Sequence, residues 1–297
     1  MINRISNFVL CVMIISISIP LDCFGYFQKT DTDKRNSIME FQKEIMAKIS
    51  GGKEIIPGTK LHDRSSLENR KISRSYFTEV FRKLGYEALV QSYSDEGENI
   101  YVILKASRPS DEYIVLGAHY DSPKDSPGAN DNGTGVAVVL AAAQCLNEIK
   151  DRSKNFIFVL FDQEERGLVG SRNFAGMINK ENMNVHSAHT IDQMGWDNDG
   201  DRAIELEIPY DGASKLYENA AKALNMELQI HITKVSGSDH YAFRKFGYKA
   251  VGLTEEYRNG DTTPHFHLKT DTYETINFNY LESSTKLIIK AMEMLVE

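Results

Sequence analysis

Three cysteines in 297 residues cannot build a disulfide scaffold, whatever the compartment. Positive charge is also in short supply. Lys and Arg number 34 against 42 Asp and Glu, for a formal charge of -8. Affinity for a nucleic-acid duplex comes mainly from neutralising phosphates, so no nucleic-acid partner is expected. The uncharged apolar run Phe8 to Ile19 is short of the ~20 residues that a bilayer-spanning helix needs. No internal repeat, low-complexity tract or Pro/Gly/Ser-rich linker follows Tyr26, which removes the sequence signs of a multidomain chain. What remains is 41% hydrophobic and 26% charged, enough apolar matter for one large core and too much for a disordered or fibrous chain.

Residues 1–25 read as an export signal: Arg4 precedes the Phe8–Ile19 run, Pro20 ends it, and Cys23-Phe24-Gly25 offers small residues before a cut at Tyr26. The alternatives are a retained N-terminal anchor or a lipid on Cys23, and Asp22 suits the lipid poorly. Cleavage would remove Arg4 and Asp22, leaving the charge at -8, and would leave Cys145 as the sole cysteine of an exported chain with no transmembrane segment. The mature chain, 26–297, is expected to be a single domain.

Apolar residues three and four apart predict helices over Asn36–Ile49 and Leu67–Leu84, the second ended by Gly85. The period then shortens to two or gives way to continuous apolar runs. Strands are expected at Glu87–Tyr93, Ile100–Ala106, Tyr113–Gly117, Asn155–Phe161, Ser187–Met194, Glu227–Ile232 and Lys249–Leu253. Helices are expected at Gly133–Leu146, Ser171–Ile178, Gly212–Leu224, Asp239–Phe246 and Phe278–Leu295. Apolar strands alternating with helices predict an α/β fold, a three-layer α/β/α sandwich around a mixed, largely parallel sheet.

Ligands of such sheets bind beyond the carboxyl ends of the strands, and those ends are rich in metal-ligating residue types. The third strand ends in His119-Tyr120-Asp121. The next loop carries Asn130-Asp131-Asn132 between glycines, and the most apolar strand ends in Asp162-Gln163-Glu164-Glu165. Further on come Asp192, Ser238-Asp239-His240, and His265-Phe266-His267 before Asp271-Thr272. Taken singly, His119 could be a structural hydrogen-bonder, the Asp131 loop a helix cap and the acidic pair a solvated face. Together, adjacent acids abutting a buried strand repel one another and resist burial, a conflict that a cation resolves.

These six motifs, in this order from His119 to Thr272, resemble the M28 family of co-catalytic zinc aminopeptidases. The resemblance implies a zinc-exopeptidase-like fold and two zinc ions bridged by Asp131, one also held by His119 and Asp192, the other by Glu165 and His267. His265 is out of step with the family spacing and is expected to line the pocket. Glu164 would take a proton from the attacking water and pass it to the leaving amine. Asp121 joins it as the second candidate catalytic residue by orienting the His119 ring. Imidazole and carboxylate ligands suit a catalytic zinc site. Two ions about 3.5–4 Å apart can activate a shared water and polarise the scissile carbonyl. The three ligand carboxylates carry more charge than one dication balances.

Two positions depart from the family pattern or leave it open. Val235 stands where some members place a tyrosine that helps to hold the oxyanion, leaving that duty to zinc or His240. The loop Glu255–His265, with Arg258, walls the pocket; Arg258 could meet a substrate carboxylate or be a solvated charge. The leading expectation is an exported metallo-aminopeptidase acting on peptides. The alternatives are a glutaminyl cyclase of the same fold and a non-catalytic binding domain.

Overall fold

Leu67–Lys83 forms helix α2 for reasons visible in its ends. Ser66 caps it by accepting the Asn69 N–H, Glu68 lies in the first turn, and Arg82 and Lys83 lie in the last, where the helix dipole favours each sign. Gly85 follows with φ 88°, a left-handed conformation that a residue with a side chain seldom takes. The computed structural model describes residues 31–258 and 260–297. The expected signal segment and Cys23 lie outside the described residues. Helix α1 (Asp31–Ile49) precedes α2.

Eight strands form one sheet: β1 (Leu89–Ser92), β2 (Glu98–Leu104), β3 (Glu112–His119), β4 (Asn155–Phe161), β5 (Asn184–Ile191), β6 (Ile204–Glu207), β7 (Ile230–Thr233) and β8 (Ala250–Glu255). Their order is β1-β2-β4-β3-β5-β8-β6-β7. The central strands β4, β3, β5 and β8 run parallel, whereas β1/β2, β2/β4 and β8/β6 pair antiparallel and β6/β7 pair parallel. Between them run α3 (Gly135–Asn147), α4 (Val169–Lys180), α5 (Ala213–Ala223), α6 (His240–Lys245) and α7 (Phe278–Val296).

The two faces of the sheet bury separate cores, which is what makes the fold three-layered. Ile114, Leu116 and Ala118 of β3, with Phe156, Phe158 and Leu160 of β4, pack toward residues of α1, α2, α3, α5 and α7. Val115, Ile157, Val159 and Phe161 point the other way, toward Phe174, Ala175 and Ile178 of α4 and Phe243 of α6. Every residue of β4 is buried, and truncating one of its phenylalanines costs about 3–5 kcal/mol. The sandwich expected from the sequence is the observed fold.

Strand β6 was not anticipated. Ile204-Glu205-Leu206-Glu207 has the period-two alternation of a half-exposed strand, yet all four residues are buried, with Glu207 against His240 of α6 and Glu205 accepting the Arg258 main-chain N–H. Among the described residues, no helix is long and apolar enough to cross a membrane.

Candidate metal centre

Strand β3 carries His119 to its carboxyl end, where the side chain is 1% exposed. Its Nδ1 lies 3.2 Å from the Asp121 carbonyl oxygen, closer than the 3.5 Å to the Asp121 carboxylate. That carboxylate instead accepts the main-chain N–H groups of Glu164 at 2.9 Å and Glu165 at 3.2 Å. It thereby fixes the turn after β4. Gln163 enters this turn at φ 59°, an uncommon conformation for a side-chain-bearing residue and one found at functional sites.

Asp131 sits in a buried irregular turn ahead of α3, with a cis peptide bond to Asn132. Asp271 accepts the N–H of Asn130 at 2.7 Å and of Asp131 at 3.0 Å. The Asn130 amide donates to Glu255 at 2.7 Å, and Glu255 also accepts the N–H groups of Gly195 and Trp196. A side chain at Gly128 would strike the Asp131 carbonyl at 2.6 Å, so the loop closes only because that position is bare.

Around Asp131 the candidate ligands converge from both sides. His119 Nε2 lies 3.4 Å from Asp131 Oδ1 and 3.5 Å from Asp192 Oδ1. His267 Nε2 lies 3.1 Å from Asp131 Oδ2 and 3.3 Å from Glu165 Oε2. Ser238 Oγ donates to Asp192 Oδ2 at 2.9 Å, leaving Oδ1 for the cluster. Glu164 Oε2 stands 3.9 Å from His119 Nε2. The five expected ligands and the two expected catalytic residues, Glu164 and Asp121, come together here.

The electrostatics describe a cluster short of positive charge. Burial pushes Glu165 up to about 8, and Asp131 adds to the effect. Burial also lifts Glu164 well above the carboxylate range against the opposing pull of His119, and the charges of Asp239, Asp192 and Asp131 add to the rise. Burial works against a charged His119, yet Glu164 and Asp192 hold its pKa well above the usual imidazole value. Asp131 is held low by the two imidazoles despite its burial.

The donor set fits a metal. His119 Nε2, Glu165 Oε1 and Asp192 Oδ1 are buried without a hydrogen-bond partner, a costly arrangement unless something else satisfies them. The atom groups His119–Asp131–Asp192 and Asp131–Glu165–His267 each lie within 4.8 Å of one another. Ligands at zinc-like bond lengths around a tetrahedral ion stand about 3.3–3.6 Å apart. The four imidazole–carboxylate separations, 3.1 to 3.5 Å, are close to that spacing.

Other positions fall differently. His240 meets groups outside the cluster: its Nε2 donates to the Val235 carbonyl at 3.1 Å, and its Nδ1, buried without a hydrogen-bond partner, stands 3.3 Å from Glu207. His265 packs edge-on against Trp196 and meets Thr270 Oγ1 at 3.0 Å, on the rim. Arg258 lies over the Tyr257 ring, 5.0 Å from its centroid. Sequence reasoning missed Glu255, although the strand-end rule that found Glu164 would have found it at the end of β8. It also missed Arg70 and Arg74 of α2, which pair with the buried Asp162 at 2.8 and 3.3 Å. No periodicity distinguishes these two from ordinary helix-surface arginines.

The family model for Peptidase family M28 matches residues 99–292. The chain belongs to peptidase family M28. Aminopeptidase YwaD of Bacillus subtilis (strain 168) is 29% identical over 256 residues, covering 82% of this chain and 52% of its own length. This chain therefore spans about half of that relative. The solved structure of BSAP, a zinc aminopeptidase from Bacillus subtilis, aligns at TM-score 0.63 and 25% identity, over 67% of this chain and 50% of that one. The glutaminyl cyclase of Porphyromonas gingivalis shares the M28 chain's fold at TM-score 0.69 and 18% identity, over 88% of this chain and 98% of its own.

Proposed function

We propose that the protein is an exported zinc aminopeptidase that hydrolyses N-terminal residues of peptides. The observation that carries this reading is Asp131, whose two oxygens face imidazoles from distant parts of the chain, His119 at 3.4 Å and His267 at 3.1 Å. His119, Asp131 and Asp192 would hold one zinc ion, and Asp131, Glu165 and His267 a second. When bound there, zinc supplies Lewis acidity toward the scissile carbonyl and toward water.

The chain's own residues do the rest. Glu164 accepts a proton from the attacking water at a carboxylate oxygen and delivers it to the amine nitrogen as the C–N bond breaks. Asp121 holds the Glu164–Glu165 turn through two main-chain N–H groups. Ser238 fixes which oxygen Asp192 presents.

The names of YwaD and BSAP support aminopeptidase action. Export rests on the Arg4, Phe8–Ile19 and Pro20 pattern. One sheet taking in all eight strands supports reading 26–297 as a single domain. Cyclase action is the second reading, favoured by a fold match along nearly the whole Porphyromonas enzyme. Zinc-loaded protein is offered aminoacyl anilides and glutaminyl peptides in parallel. Release of the aniline is expected; ring closure of the glutaminyl peptide without anilide cleavage overturns the aminopeptidase reading in favour of the cyclase.

A further inference from the structure

The segment between α1 and α2 carries no motif and lies outside the span 99–292 that matches the family. Yet it sends Arg64 beneath the metal centre. The side chain is fully buried. Its Nε donates to the Tyr120 carbonyl at 2.6 Å and its Nη2 to the Gly128 carbonyl at 2.8 Å. Nη1 donates to the carbonyls of Pro127 at 2.6 Å and Ile49 at 2.8 Å. The Arg64 main-chain N–H reaches Ser122 Oγ at 2.9 Å, and that hydroxyl donates on to the Ser126 carbonyl.

The placing of these carbonyls is what matters. Tyr120 stands between His119 and Asp121, while Pro127 and Gly128 directly precede the turn that carries Asp131. One planar fork thus grips both ends of the loop separating His119 from Asp131. Lysine cannot substitute in such a grip, since an ammonium on a flexible stem lacks the fixed fan of donors. Among the described residues, no carboxylate forms an ion pair with Arg64. The charges acting on it are those of Asp271, Asp121, Asp131 and Glu165 above it.

We propose that Arg64 is a positioning residue that preforms the metal centre, its guanidinium clamping the two ends of loop 120–128 so that His119 and Asp131 stand at ligand spacing before any cation enters. This rests on the reading of the site as a zinc centre. The clamp, rather than the charge alone, is the working element.

The test compares wild type with Arg64→Lys, which keeps the charge and loses the fork, and Arg64→Met, which loses both. Zinc Kd is measured on metal-free folded protein by competition with a chelating dye, and melting temperature is recorded with and without zinc. Both variants should bind zinc about 10- to 100-fold more weakly, the usual effect of losing a partner behind the ligands, and zinc should raise their melting temperatures less than that of wild type. A buried arginine with a merely structural role would lower the metal-free and zinc-loaded melting temperatures equally and leave Kd unchanged. That result in Arg64→Lys overturns the proposal even if Arg64→Met fails to fold. Zinc binding by wild type reports on the site itself: a wild type that takes up no zinc overturns the underlying reading, whereas normal wild-type uptake with unaltered variants overturns the Arg64 clamp alone.

Discussion

The Asp121 carboxylate receives the Glu164 main-chain N–H at 2.9 Å, so the second residue after the His119 strand sets the position of the proposed base on the neighbouring strand end. Asp121→Asn would turn an amide N–H toward one of two donors, leaving it unsatisfied at a cost of about 1–3 kcal/mol. Turnover should fall about 10- to 100-fold while zinc content holds. Metal analysis beside steady-state kinetics checks this, and a variant that loses zinc but turns over normally when resupplied would contradict it.

Glu164→Gln removes the proposed base and leaves every proposed ligand in place. The variant should fold, keep its zinc and lose about 10²–10⁴-fold in kcat. Near-normal turnover would sink the assignment of Glu164.

Removing metal should lower the melting temperature, and by more at higher pH. In the metal-free protein, burial pushes the carboxyls of Glu165, Glu207 and Glu255 up to about 8. The native state therefore holds protons that the unfolded chain releases near its ordinary carboxylate value. The stability tied to them is present at low pH and is lost as pH rises through about 8. His189 and His240, lowered by burial to about 3 and about 4, act in the opposite sense, but only below the ordinary imidazole value of about 6.5. Between about pH 6.5 and 8 the metal-free melting temperature should fall, and the gap to the zinc-loaded form should widen. Thermal scans in chelator across that window test it; a rising metal-free curve would contradict the sign.

Arg70→Met should destabilise the fold by about 3–5 kcal/mol, since it strips one partner from a carboxylate that is itself fully buried. Asp162 leads straight into the Glu164–Glu165 turn, so turnover should drop as well. Urea denaturation gives the first quantity and anilide cleavage the second.

The fold was largely legible because its central strands are continuous apolar runs and its helices keep their period. Strand β6 escaped notice because four residues with two glutamates look like a surface ladder until His240 and the Arg258 main chain are seen to meet them. The candidate site residues were legible for a related reason: the chemistry of a parallel sheet collects at strand ends, and the expected ligands His119, Glu165 and Asp192 and the expected base Glu164 all follow apolar runs. What lies behind them was not. Arg64 and Glu255 act through main-chain groups and a side-chain amide, Asp271 stood in a motif with no role attached, and no residue-type pattern announces which carbonyl or N–H a distant side chain will find. His240 shows the converse, a residue whose place among the motifs suggested a part in the chemistry but whose Nε2 is bound to the Val235 carbonyl and whose Nδ1 faces Glu207.

His119 is 1% exposed and His267 45%, so the two flanks of Asp131 do not face the solvent equally. Ions held there would differ in residence time. The His267 flank, open to water and chelator, would empty and refill first, while the more enclosed His119 flank would release its ion more slowly. A chelator pulse should therefore leave a half-loaded protein whose remaining ion reports the slower of two clocks.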